Sequence, residues 1–110
     1  MKYALLIYSS RAASEDSVER ELDPDIAAVL KSPGVADWAR LRSVESATTV
    51  RRQEGRTLLT DGPFLDSKEH LGGLVVVDSE NLDGALAIAE ALEGVRANIA
   101  IEVRPVLETA

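Results

Sequence analysis

The densest run of titratable side chains lies between Leu58 and Gly73, which reads LLTDGPFLDSKEHLGG. Asp61, Asp66, Lys68, Glu69 and His70 all fall there, between two apolar stretches that read as strands. Carboxylates, an ammonium group and an imidazole at one sheet edge would supply acid–base groups and a charge to hold an anion. In that reading Asp61 is a general base. Lys68 and Arg51 hold an anionic substrate, and Glu69 and His70 complete the binding group. The competing reading is structural. Asp61-Gly62-Pro63-Phe64 is a turn in which Asp61 accepts backbone N–H bonds and Gly62 adopts an unusual φ. Pro63 then pins the backbone, and Phe64 returns the loop to the core.

A second candidate base is Asp37. Val35 to Arg42 alternates as a strand, with Val35, Ala39 and Leu41 on one face and Asp37 on that same face. A carboxylate among apolar side chains has its pKa raised and suits proton transfer. The alternatives are a helical turn, or an edge position where Asp37 meets water. Around this segment gather Arg40, Arg42, Arg51, Arg52 and Arg56, against only Glu45 and Glu54. Such a group either binds a carboxylate or phosphate or guards an exposed hairpin against edge-to-edge association.

The elements that must position these groups follow from periodicity and punctuation. Lys2 to Tyr8 is a near-continuous apolar run, as expected of a central strand. Asp23 and Pro24 form an N-cap and first-turn pair for a helix of Pro24 to Lys31, with Ile26, Val29 and Leu30 inward. Val18 and Leu22 extend that stripe backward, which suggests an earlier turn after Ser14 or Ser17. Thr48–Arg52 and Arg56–Thr60 flank Gln53-Glu54-Gly55 and read as a β-hairpin. Leu74 to Asp78 is a core strand. Asn81 caps a helix of Leu82 to Glu93 with Leu82, Ala85, Leu86, Ala89 and Leu92 as its apolar face. Ile99 to Val106 is the last strand, with Pro105 marking an edge or a terminus.

This order is α+β: a ferredoxin-like βαββαβ unit with an inserted β-hairpin, in one domain spanning residues 1–110. Two helices cover only one face of a four-stranded sheet. The other face carries Leu, Ile and Val, so a homodimer with sheets face to face is expected.

Composition narrows the function classes. With 19 acids against 12 bases the net charge is −7, which disfavours nucleic acid or an anionic membrane as the main partner. No apolar run is long enough to span a bilayer. MKYALLIY is too short for a signal segment, and charged residues from Arg11 onward replace a cleavage site, so a cytoplasmic protein is expected. The chain has no cysteine and one histidine, and neither a phosphate-binding glycine loop nor a metal triad, so no metal or cofactor is expected. Glu15 to Asp25 holds six acids and a single base, Arg20, a segment suited to a basic partner.

Taken together, MKYALLIY at the start, ATTVR at 47–51, TDGPF at 60–64, SKEHLGG at 67–73, LDGALAIA at 82–89 and EVRPV at 102–106 resemble the YCII-related family in its DGPF-domain branch. The resemblance runs from end to end. It implies a ferredoxin-like subunit that pairs into a dimeric α/β barrel. Some such proteins are encoded beside extracytoplasmic-function sigma factors, which implies a non-catalytic regulatory module as one function and a sigma factor as a partner. Related YCII-like proteins are suspected enzymes with a His–Asp pair, and one is a dehydrochlorinase, which implies a lyase-like activity as the other. This chain departs there: its first-helix region has Asp25 at the helix start and no histidine, so the pair does not carry over.

Overall fold

The computed structural model describes residues 1–10, 21–65 and 67–110. Val18, the expected turn after Ser14 or Ser17, most of the acidic Glu15–Asp25 segment, and Asp66 lie outside the described residues. In chain order the elements are β1 (Lys2–Ser9), α1 (Pro24–Leu30), β2 (Val35–Arg40), β3 (Thr48–Gln53), β4 (Arg56–Asp61), β5 (His70–Asp78), α2 (Leu82–Gly94) and β6 (Ile99–Pro105). One 3-10 turn, Val44–Ser46, separates β2 from β3.

The most apolar strands, β1 and β5, pair at the centre of a four-stranded antiparallel sheet of order β2-β5-β1-β6. With β3 and β4 set aside, this is the expected ferredoxin-like βαββαβ arrangement. Pro105 closes an edge strand, where its missing N–H breaks no ladder between two neighbours. Both helices lie on one face. Tyr3, Leu5, Val75 and Val77 from the central strands meet Leu30 of α1 and Ala85, Ala89 and Leu92 of α2 to form the buried core.

Short polar side chains start the helices where the sequence places them. The Asp23 carboxylate accepts a bond from the Asp25 N–H at 2.8 Å, with Pro24 next in line. Asn81 does the same for the Gly84 N–H at 3.1 Å. These caps satisfy donors that have no partner within the helix. The inward stripe of α2 differs from expectation. Ala85, Ala89 and Leu92 are buried and Ile88 packs on the core, whereas Leu82 and Leu86 are exposed. At 100° per residue, Leu86 lies well off the line that runs through Ala85 and Ala89.

Strands β3 and β4 form a separate two-stranded sheet. Glu54 and Gly55 turn it with φ of 52° and 79°, both left-handed, as a two-residue hairpin turn of type I′ requires. Its base is closed by the Gly62 N–H donating to the Ala47 carbonyl at 2.8 Å and by the Thr49 hydroxyl donating to the Gly62 carbonyl at 2.7 Å. From residue 48 to 61 only Thr49 is half-buried, and the others are exposed. The hairpin is an arm, and it contributes nothing to the core. The radius of gyration, 15.6 Å, accordingly exceeds the ~13 Å of a compact chain of this length.

Truncating a core residue and an arm residue should therefore have opposite outcomes. Leu5 has no solvent exposure, so Leu5→Ala is expected to destabilise by about 2–5 kcal/mol. Leu59 is 70% exposed, so Leu59→Ala should change the stability of the separated chain by no more than about 0.5 kcal/mol. Urea unfolding at low protein concentration reads both.

Candidate functional site

Successive residues of a strand face opposite sides of the sheet, so one extra residue reverses every side chain beyond it. Two such bulges aim the polar groups here. In β5, Gly73 lies opposite Ile7 and Leu71 opposite Tyr8, which leaves Gly72 as the extra residue. Its carbonyl accepts a bond from the Leu41 N–H at 2.8 Å, so the bulge leaves no orphan acceptor. His70 then lies opposite Ser9, on the side that carries Tyr3, Leu5 and Ile7. An unbroken alternation from Val77, Val75 and Gly73 would have sent His70 to the far side.

In β2, Val35 lies opposite Val77 and Asp37 opposite Val76, so the extra residue is Ala36. Val35 faces the core, and the reversal sends Asp37 and Ala39 to the sheet face that no helix covers. This corrects the expectation that Val35, Asp37 and Ala39 share one face. Asp37 is exposed on an edge strand, and its carboxylate accepts the N–H of Trp38 at 2.8 Å. The same shift brings Trp38 and Arg40 to the helix side, with His70.

On that side, between α1, the end of α2 and the sheet, lies a cavity of about 380 Å³. That is large enough for a small organic molecule. Its floor is apolar, with Leu30, Val75 and Leu92 buried and Ile7, Leu22 and Ile26 half-buried. Its polar lining is mostly basic: His70 and Arg96, half-buried, and Arg40 and Arg42, exposed, against the carboxylates of Glu21 and Asp23. Asp23 is already committed to capping α1. The indole of Trp38, 41% exposed, adds an aromatic wall. An apolar floor beneath guanidinium groups suits a ligand with a hydrocarbon or aromatic body and an anionic head.

Of Asp37, Arg51, Asp61, Lys68, Glu69 and His70, only His70 lines this cavity, together with Arg40 and Arg42 of the arginine group. Asp61 ends β4 opposite Thr48 and is exposed. Arg51, in β3 opposite Leu58, sets its guanidinium 5.1 Å from the centre of the Phe64 ring. Phe64 is itself 63% exposed and supports Arg51 instead of returning the loop to the core. Lys68 and Glu69 are exposed in the connection to β5, where the Glu69 N–H donates to the Ser67 hydroxyl at 3.2 Å. Asp61, Lys68, Arg51 and Asp37 do not meet at the cavity; its basic side comes instead from Arg40, Arg42 and Arg96. Arg40 and Arg42 stood out in the sequence only as part of an arginine cluster. The Gly72-Gly73 pair was the visible sign of the bulge that turns His70 inward. Trp38 and Arg96 carried no sequence signal of their own.

The chain matches the model of a family described as the YCII-related domain, over residues 1–110. It is also 31% identical, over 113 aligned residues, to the uncharacterized protein R00369 of Rhizobium meliloti (strain 1021), in an alignment covering 96% of this chain and 91% of that protein.

The position of the cavity wall depends on Gly73. A methyl group there would stand 3.0 Å from the Ala39 carbonyl oxygen, so β2 has to move away to admit it. Gly73→Ala is expected to destabilise by about 1–3 kcal/mol and to displace Trp38, which lies next to Ala39 on that strand. Trp38 is the sole tryptophan, so its fluorescence spectrum reports the displacement directly.

Proposed function

The chain belongs to the YCII-related family, and from that premise we propose that it binds a small organic anion in the cavity between α1 and the sheet. The observation that carries this reading is the lining itself: three arginines and His70 around an apolar floor, with Trp38 alongside. The ligand's body would displace water from Leu22, Ile26 and Leu30, and its carboxylate or phosphate would be met by Arg42 and His70 at the rim. Charge-assisted bonds of that kind contribute about 1.5–3 kcal/mol each. In this reading His70, which lines the cavity, would serve any proton transfer at the bound molecule. Asp61 and Asp37 are exposed and line no part of the cavity, so neither has a role in this reading.

The working unit in this reading is a homodimer. Ala4, Leu6 and Tyr8 of β1 and Leu74 and Val76 of β5 share the sheet face opposite the helices, and none belongs to the core cluster. A second copy placed against them would bury an otherwise wetted apolar face.

Calorimetric titration with benzoate, benzamide and inorganic phosphate tests the binding. Benzoate should bind and the isosteric neutral amide should not. The double variant Arg42→Glu, His70→Ala should weaken benzoate binding at least tenfold, while Asp61→Asn leaves it unchanged. Equal binding of benzoate and benzamide, or wild-type affinity in the double variant, would overturn the assignment. Light scattering at micromolar concentration tests the pairing: a monomer there removes it.

A further inference from the structure

The sheet side of the cavity is uneven, and the register says where. Residues directly opposite each other in an antiparallel ladder show their side chains on the same face. On the helix side, Trp38 of β2 therefore stands beside Val75 of β5. In the next row Arg40, Gly73 and Ile7 follow one another across β2, β5 and β1. His70 and Ser9 lie beyond them, past the bulge at Gly72. Gly73 has no side chain, so between Arg40 and Ile7 the sheet is bare. Ala39 and Leu74 pair with each other on the opposite face, yet both line the cavity. What they contribute there is main chain. The cavity thus reaches a strip of uncovered backbone.

Trp38 borders the row next to that strip. Val75 beside it is 2% exposed, whereas Trp38 itself is 41% exposed and lines the same cavity. An indole brings a large apolar area with a preference for offset or edge-to-face contact with a second ring. A flat ring rests on a peptide surface at about 3.5–4 Å, carbon to carbon. A saturated ring, puckered and carrying hydrogens on both faces, cannot lie so close. Arg40 flanks the strip, and a guanidinium plane stacks on an aromatic ring as well as pairing with an anion. Bare backbone and an open indole together favour one shape of ligand.

We infer that the cavity takes an aromatic anion, whose ring lies on the strip at Gly73 against the indole of Trp38, and that Trp38 selects for such a ring. This rests on the reading of the cavity as an organic-anion site and names the class of anion. The head group meets Arg42 and His70 as before. The ring, not the charge, is what Trp38 distinguishes.

Calorimetric titration with benzoate and cyclohexanecarboxylate tests this, because the two share the carboxylate and the number of carbons. Burial alone does not favour benzoate, since the saturated ring has no smaller an apolar surface. The wild-type protein is nevertheless expected to bind benzoate about three- to tenfold more tightly. Trp38→Leu should erase that preference, and Trp38→Phe should retain part of it. Nuclear Overhauser contacts between benzoate ring protons and the Trp38 indole, measured on the wild-type protein, report the stacking without any variant. Equal or tighter binding of cyclohexanecarboxylate by the wild-type protein overturns the aromatic assignment and leaves the anion site standing. A preference that survives Trp38→Leu at full size, or a benzoate complex without indole contacts, overturns the role of Trp38. If neither acid binds the wild-type protein, the anion-site reading falls and this inference falls with it.

Discussion

The ladder between β1 and β5 is the constraint on which the other features rest. These two strands are the centre of the sheet, supply Tyr3, Leu5, Val75 and Val77 to the core, and fix the register against which β2 and β6 are laid. Because the pleat has a period of two, that register also decides which polar groups face the helices and which face away. The extra residue at Gly72 reverses the decision for one turn of chain and delivers His70 to the cavity. The extra residue at Ala36 does the converse for Asp37 and removes it. Both bulges cost a ladder bond, and the one at Gly72 recovers a bond through the Leu41 N–H. The composition of the cavity is thus a consequence of register. A slip of one residue in β5 would exchange its occupants.

A sheet covered on one side only has a second consequence. The helices account for the face bearing Leu5 and Val75, and among the described residues nothing accounts for the face bearing Leu6, Tyr8, Leu74 and Val76. The arm presents the same imbalance on a smaller scale, since neither side of its two-stranded sheet is buried. The first surface lies on β1 and β5 at the centre of the sheet, whereas the arm leaves from the edge strand β2 and returns at β5.

Much of the architecture was legible in the sequence. Asp23-Pro24 and Asn81 located the helix starts, Gln53-Glu54-Gly55 located the hairpin turn, and the strand runs located the sheet, because each depends on chemistry within a few residues. What failed to show depends on events between strands. The face of Asp37 was misread because a bulge at Ala36 has no signature in a six-residue strand. Phe64 was assigned to the core because aromatic residues usually go there, whereas here the arm carries it away and Arg51 stacks on it. Of the site, His70 was visible as a residue but not in its direction, and Arg96 depends on where α2 happens to end. Trp38, on a strand mistaken in its facing, could not be placed.

The segment richest in titratable groups runs from the end of the arm to the start of β5. Its Asp61-Gly62-Pro63 turn, with Gly62 at a φ of 101°, ties the base of the arm to Ala47 and Thr49. What such a turn requires is a short side chain, a residue free of Cβ sterics and a fixed φ, and these are also the residue types that draw attention as candidates for catalysis. Spacing alone does not separate the two uses. In this structure Asp61 is exposed at the end of β4, opposite Thr48, and does not line the cavity. His70, the sole histidine, lies only nine residues further on. It differs in lying beyond the arm, on a strand whose bulge brings it under the helices, where an apolar floor and guanidinium groups surround it.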